Sequence, residues 1–274
     1  MKNISFTKMS GAGNDFILID GDDNSEFLVS EQTVQKLCDR HNGIGADGVI
    51  LISSSQQYDF VMNYCNADGS TGSLCGNGAR CAIKFAFNTK RIKDKSTRFL
   101  SNNSEYTGEI LEDGMIRFNL KSPSNLRKNI QLNAAGKDFT VHFINTGSPH
   151  VVIMVEDLDN TPVEKIGKEI RWLAEFAPDG TNVNFVKIEH EDVHIRTYER
   201  GVESETLACG TGSVAAAIIC NKTDEINAPV TILTRSKAKL FVNFNVINDE
   251  FSNVSLTGPV SEIFKGQFQI NLVE

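Results

Sequence analysis

Short apolar runs rich in β-branched and aromatic residues recur in the first half of the chain at 16–19, 49–52, 60–64 and 115–120, each bounded by Gly, Asn or Asp. This pattern predicts strands. Two segments carry helical spacing instead: 31–41, and 79–87, which follows the glycines of Cys75-Gly76-Asn77-Gly78. Asp113-Gly114, between two strand-like runs, predicts a hairpin. The second half repeats the order, with strands at 141–144, 151–155, 183–188 and 193–198 and a helix over 211–219. A last strand-like run, 263–272, lies beyond the second copy and is expected to pack back onto the first.

Motifs recur at one offset as well. Gly13-Asn14-Asp15-Phe16 and Gly147-Ser148-Pro149-His150 lie 134 positions apart, as do Cys75-Gly76-Asn77-Gly78 and Cys209-Gly210-Thr211-Gly212, and as do Tyr64 and Tyr198. One coincidence would mean little in a chain with 21 glycines, but three in the same order point to two copies of one α/β unit. The join is expected near 121–133, where Ser, Pro and Asn cluster. The expected domains are therefore 1–121, with 263–274 returning to it, and 122–262.

Composition narrows the partners. With 40% hydrophobic and 23% charged residues over 274 positions, the chain is an ordinary globular protein, neither disordered nor fibrous. Its net charge of -8 lacks the basic footprint that nucleic acid or an anionic membrane requires, so a small molecule is the expected partner. The first residues form no apolar signal core and no run reaches membrane-spanning length, so a cytoplasmic location is expected. In that reducing setting the six cysteines, 38, 65, 75, 81, 209 and 220, are expected to be thiols, and none forms a Cys-x-x-Cys pair.

Candidate chemistry centres on Cys75 and Cys209, each standing directly before Gly-x-Gly and a helix. Backbone N–H groups at such a turn, together with the helix dipole, favour a nearby anion. A thiol there should ionise below its free value of about 8.5, and the same amides can hold a substrate carboxylate. A single such cysteine could equally be a buried apolar side chain; the duplication supplies two equivalent thiols. Two acid/base groups on opposite faces are what stereoinversion at a carbon requires, one removing a proton while the other delivers one. The N–H groups of Gly76, Asn77, Gly210 and Thr211 would stabilise the charge that develops on the carboxylate.

Other motifs fail on context. Gly43-Ile44-Gly45-Ala46-Asp47-Gly48 fits Gly-x-Gly-x-x-Gly but precedes a strand instead of following one into a helix. There is no Walker loop and no Gly-x-Ser-x-Gly. The histidines lack zincin spacing; His190 and His194 lie in a strand-like segment. No metal site and no cofactor is expected.

The motifs Gly11-Ala12-Gly13-Asn14-Asp15-Phe16, Asn66-Ala67-Asp68-Gly69, Cys75 through Cys81, Pro149-His150, Tyr198-Glu199-Arg200-Gly201 and Ala208-Cys209-Gly210-Thr211-Gly212 together resemble the diaminopimelate epimerase family along essentially the whole chain. The resemblance implies two α/β domains, each a curved mixed β-sheet around a central helix. It implies interconversion of LL- and meso-diaminopimelate without a cofactor, in lysine and peptidoglycan precursor synthesis. Cys75 and Cys209 inherit the acid/base roles, with His150 and Glu199 tuning them, His150 as an imidazolium that lowers a thiol's pKa. Asn14, Asn66, Asn182, Glu199 and Arg200 match substrate-holding positions, as do the backbones of Gly76, Asn77, Gly210 and Thr211. Amides and one Arg fork suit a distal carboxylate and ammonium.

Three features depart from the family pattern: Ser148 in place of Asn, Gly48 in place of a Gln, and a segment 202–206 one residue longer. Ser148 would leave one substrate hydrogen bond to water. A proline or hydroxyproline racemase of the same fold stays open as an alternative. So does a non-catalytic amino-acid-binding or thiol redox-sensing protein. A homodimer is a candidate assembly, with oligomeric state left open.

Overall fold

The computed structural model describes residues 2–24, 29–71, 74–224, 226–248 and 250–270. It divides into two compact units, Met1–Phe118 with Pro259–Glu274, and Asn119–Gly258.

The first unit opens with the antiparallel pair β1 (Lys2–Gly11) and β2 (Asn14–Asp20). Their turn passes through Gly13 at φ +102°, a conformation side chains avoid. Helix α1 (Glu31–Cys38) begins where the Ser30 hydroxyl accepts the Thr33 N–H at 3.2 Å. It stops three residues short of the predicted end. The Asp39 carboxylate accepts the His41 and Asn42 N–H groups, each at 2.7 Å, and so takes the amides that would have continued the helix.

Next come β3 (Gly48–Ser53), parallel to β2, and β4 (Phe60–Asn66), antiparallel to β3. Helix α2 (Gly76–Asn88) leads to β5 (Ser96–Ser101), parallel to β4, and β6 (Ser104–Ile110), antiparallel to β5. The Asp113-Gly114 turn, closed by the Leu111 N–H on the Met115 carbonyl at 2.8 Å, precedes β7 (Ile116–Asn119).

In the second unit β8 (Ser124–Ala134) and β9 (Lys137–Asn145) form an antiparallel pair, and β10 (Pro149–Met154) is antiparallel to β9. After α3 (Val163–Arg171), β11 (Asn182–Glu189) runs parallel to β10 and β12 (Asp192–Glu199) antiparallel to β11. A short β13 (Ser204–Thr206) folds back on β12, and α4 (Gly210–Asp224) follows. Strand β14 (Val230–Leu233) lies parallel to β12, and β15 (Lys239–Ile247) and β16 (Glu250–Gly258) add on in antiparallel fashion. Finally β17 (Val260–Ile270) returns to the first unit, antiparallel to β1 along its full length. The last residues of the predicted run, 271–272, lie outside the described residues.

In each unit the strands pack around a largely buried helix. Along α2, Ala79, Cys81, Ala82, Ile83 and Ala86 are fully buried; along α4, every residue from 214 to 220 is. The α4 stretch, with no polar face, belongs inside a domain, whereas α2 also buries the polar Asn77 and Arg80. The small side chains let the strands approach closely.

The duplication holds at the level of pairing, with one slip. The order antiparallel, parallel, antiparallel, parallel occurs in both units. Phe16 stands opposite Gly48, and His150 opposite Asn182, each residue 134 positions after its counterpart. Tyr64, however, stands opposite Ile50, while Tyr198 stands opposite Val183, the counterpart of Val49. A one-residue slip sends a strand side chain to the other face. Tyr64 accordingly meets Phe16 edge-on at 6.0 Å between centroids, beside α2, whereas Tyr198 packs against Gly167 of α3. The tyrosine recurrence is therefore not a structural equivalence.

Two further elements were not read from the sequence. The units divide between Phe118 and Asn119, beside the expected join at 121–133, and most of that stretch is strand β8. Asn125 and Asn129 take φ of +55° and +58° at two register irregularities, so the Asn-rich stretch forms bulges. Helix α3 was not predicted at all. Its buried Val163, Ile166 and Ile170 do follow helical spacing, but the segment is short and Gly167 interrupts it.

Candidate active site

Both cysteines sit where a strand-to-helix turn closes. The Cys75 carbonyl accepts the Ala79 N–H at 2.8 Å and the Cys209 carbonyl accepts the Ser213 N–H at 2.9 Å, so each begins the first helical turn of its unit. First-turn amides have no intrahelical acceptor and carry the positive end of the dipole. The other four cysteines are unsuited to ionise: burial pushes the thiols of Cys38, Cys81 and Cys220 up to about 12 and also raises that of Cys65.

In the first unit Cys75 is half-buried and Asn77 fully buried. The Asn77 side-chain amide donates to Asn14 Oδ1 at 2.6 Å, and Asn14 Nδ2 donates to Asp47 Oδ2 at 3.0 Å. Asp47 is held by Arg40 at 2.7 Å, and Arg40 also grips Asp15, which meets the buried Lys8 at 2.7 Å. Asn14 is thus fixed from both sides. Burial alone would raise the Asp15 carboxyl; hydrogen bonds from Arg40 and Lys8 outweigh it and hold it below the ordinary 3.8.

Asp15→Asn should lower the free energy of unfolding by about 2–4 kcal/mol at pH 7, because Lys8 is left as a buried cation without its carboxylate. The wild-type advantage is present above the ordinary carboxylate pKa and is lost as pH falls through the depressed native value. Urea melts of the two proteins should therefore converge in acid.

Asn66 stands opposite Gly48 and heads its own turn, its amide donating to Ser70 Oγ at 3.0 Å. Gly48 has no room for a longer side chain, since a Cβ there would lie 2.5 Å from the Cys65 carbonyl oxygen.

In the second unit the predicted residues form two groups. Asn182 donates to Ser148 Oγ at 3.1 Å and to the Pro149 carbonyl at 2.8 Å, and accepts the Arg200 N–H at 2.9 Å. The Arg200 guanidinium donates to the same Ser148 oxygen at 3.2 Å. Ser148 is therefore an anchor for Asn182 and Arg200. Glu199 accepts from Thr206 Oγ1 at 2.8 Å.

The other group surrounds Cys209. Its Sγ lies 3.6 Å from Thr211 Oγ1, which lies 2.9 Å from His150 Nε2. His150 Nδ1 in turn lies 3.2 Å from Asn184 Nδ2. The same Asn184 amide donates to the Val151 carbonyl at 2.8 Å, and Asn184 Oδ1 accepts from Thr197 at 3.0 Å. These two contacts set the Asn184 orientation, so its NH2 donates to Nδ1 and the imidazole proton sits on Nε2, facing Thr211.

This corrects the expected state of His150. The ring is fully buried, and burial, with help from the Arg200 charge, lowers its pKa to about 3. It is a neutral hydrogen-bond relay, not an imidazolium. Asn184 went unnoticed in the sequence. Its signal was a polar residue inside the strand Val183-Asn184-Phe185, where only a partnered amide can be buried.

Among the described residues no group of three or more His, Cys, Asp or Glu side chains converges as it would around a metal ion, and no helix is long and apolar enough to cross a membrane.

The family model described as Diaminopimelate epimerase matches residues 6–124 and 142–261. The chain is 44% identical over 261 residues to the diaminopimelate epimerase of Chlorobaculum tepidum, covering 94% of this chain and 98% of that one. It is 41% identical over 283 residues to that of Aquifex aeolicus, covering 99% and 100%. Among solved structures, a PhzF-family phenazine biosynthesis protein of Bacillus anthracis aligns with TM-score 0.76 at 14% identity, over 98% of this chain and 100% of that one. A probable proline racemase of Agrobacterium radiobacter aligns with TM-score 0.72 at 11% identity, over 98% and 93%. These likenesses concern the fold alone. With two helix-capping cysteines in a duplicated α/β frame, and with matches of this identity and coverage, the chain belongs to the diaminopimelate epimerase family.

Proposed function

We propose that the chain interconverts LL- and meso-diaminopimelate, with Cys75 and Cys209 as the two acid/base groups and without a cofactor. One thiolate removes the α-proton, forming an S–H bond as the C–H bond breaks. The electron pair spreads into the substrate carboxylate. The second cysteine, a thiol, delivers its proton to the opposite face and becomes the thiolate, so one turnover exchanges the roles. First-turn amides of the two helices hold the carboxylate as its charge grows.

The observation that carries this reading is the repeated placement of a cysteine as the residue whose carbonyl begins a helix at Gly-x-Gly. Thr211 Oγ1, polarised by His150, supports a negative sulfur at Cys209 through neutral hydrogen bonds. The Asn14–Asn77 pair and the Ser148–Asn182–Arg200 group supply fixed amides and a guanidinium for the substrate's distal amino-acid end. Such a set suits a doubly zwitterionic substrate better than proline, which has a single carboxylate and no distal charge. Within this reading the protein works in the cytoplasm on a free amino acid.

The test is incubation of the reduced protein with LL-diaminopimelate, and separately with L-proline, in deuterated water. Deuterium should enter the α-carbon of diaminopimelate as the meso isomer accumulates, and proline should stay unlabelled. Labelled proline with unchanged diaminopimelate would move the chain to the racemase reading; binding with no exchange would make it a non-catalytic binder.

A further inference from the structure

Arg80 has no place in the scheme so far. Its side chain is fully buried. It donates to the Gly76 carbonyl at 3.3 Å and to Asn77 Oδ1 at 2.8 Å, while Nε has no hydrogen-bond partner. Neither acceptor is a carboxylate. Burial brings its pKa down to about 10, which still leaves a full cation at neutral pH.

The position makes this charge harder to explain structurally. A buried charge without a counter-ion is unfavourable. Arg80 lies early in α2, where the helix dipole is already positive and a further cation is unfavourable. A nearby anion would offset both. Cys81 is fully buried with its thiol raised to about 12, so it stays neutral. Lys8 of β1 and Asp15 of β2 are committed to each other and to Arg40, and Asp47 to Arg40 and Asn14. From β4, Tyr64 sets its ring edge-on to Phe16. Glu262 of β17 meets Asn88, at the far end of the helix, and Lys84 lies over the Phe87 ring. The remaining titratable group in the first turn is Cys75.

In the second unit, among its described residues, the central helix α4 has no fully buried cation; the cation whose charge reaches the Cys209 group is Arg200, half-buried and engaged with Ser148. The counterpart of Arg80 is the apolar Val214, and in place of Phe16 and Ile50 it carries His150 and Asn184, a neutral network. A symmetric fold thus places its two sulfurs in unlike fields. We infer that Arg80 is a positioning residue whose buried charge holds Cys75 as the thiolate of the resting pair and leaves Cys209 to carry the proton.

The inference rests on the two-thiol reading of the site, but its test needs no turnover. The full reduced chain is alkylated with iodoacetamide over a range of pH, and the rate at each cysteine is read by peptide mass spectrometry. In the wild type the Cys75 midpoint should lie below that of Cys209. Arg80→Gln keeps a donor for Asn77 and removes the charge; it should raise the Cys75 midpoint by about one pH unit, a roughly tenfold loss of thiolate below it. Cys209 should not move, and Arg80→Lys should restore Cys75.

A wild-type Cys75 midpoint at or above that of Cys209 overturns the inference, and this holds even if Arg80→Gln fails to fold. So does a Gln variant that shifts neither sulfur, or both equally. Ordered midpoints in a protein that fails to label diaminopimelate would sink the epimerase reading and leave the role of Arg80 standing.

Discussion

Cys75→Ala should reduce inversion of diaminopimelate by about a thousandfold or more, and Cys209→Ala should do the same, since each removes one of two proton carriers. The more telling readout is exchange without inversion. A variant with one sulfur can still remove and return a proton on the same face, so it should wash the α-hydrogen out of one stereoisomer only. The isomer should differ between the two variants. Proton NMR in deuterated water follows both quantities together. Full inversion in either variant would defeat the two-base scheme, and washout of the same isomer by both would place the two sulfurs on one face.

Gly212→Ala is expected to cut turnover by about a hundredfold, because displacement of reacting groups by about an ångström carries that order of loss. A Cβ at this position runs into the Asn184 carboxamide oxygen and lies 3.2 Å from Cys209 Cβ and 3.3 Å from its Sγ. Asn184 fixes the His150 tautomer, so the collision disturbs the relay to Thr211 as well as the sulfur. Some loss of stability, about 1–3 kcal/mol, should accompany it, as overpacking generally brings.

Gly78→Ala is the control from the other unit. There the nearest atom is the flexible end of Ile50, at 3.1 Å, and Cys75 Cβ is 3.6 Å away. Its activity should fall much less. Equal losses in the two variants would mean that helix-turn geometry, and not the Asn184 relay, sets the Cys209 site.

Much of this site was legible because its signals are local. Cysteine, glycine and a following helix are adjacent in the chain, and two copies made the pattern conspicuous. The parallel pairing of Phe16 with Gly48 and of His150 with Asn182 bears out the 134-residue repeat where it was read from turns. The same offset misled at Tyr64 and Tyr198, where the strand pairing slips by one residue. The Asn-rich stretch at 121–133 marked the neighbourhood of the join but not its strand, because asparagine favours both loops and left-handed bulges and only pairing with β9 distinguishes them.

What the sequence by itself determined was the repeat, the two helix-initiating cysteines and the family, all properties of contiguous residues. What only the tertiary structure decided was the charge state and partners of the buried polar groups. His150 is neutral because the fold takes it out of water beside Arg200 and aligns Asn184 against it. Ser148 became an anchor because Asn182 and Arg200 converge on its oxygen. Arg80 is a buried cation whose hydrogen bonds go to a carbonyl and an amide oxygen, with no carboxylate bonded to it among the described residues. Protonation and orientation depend on which dipoles and charges surround a group, and those come from strands and helices far apart in the chain.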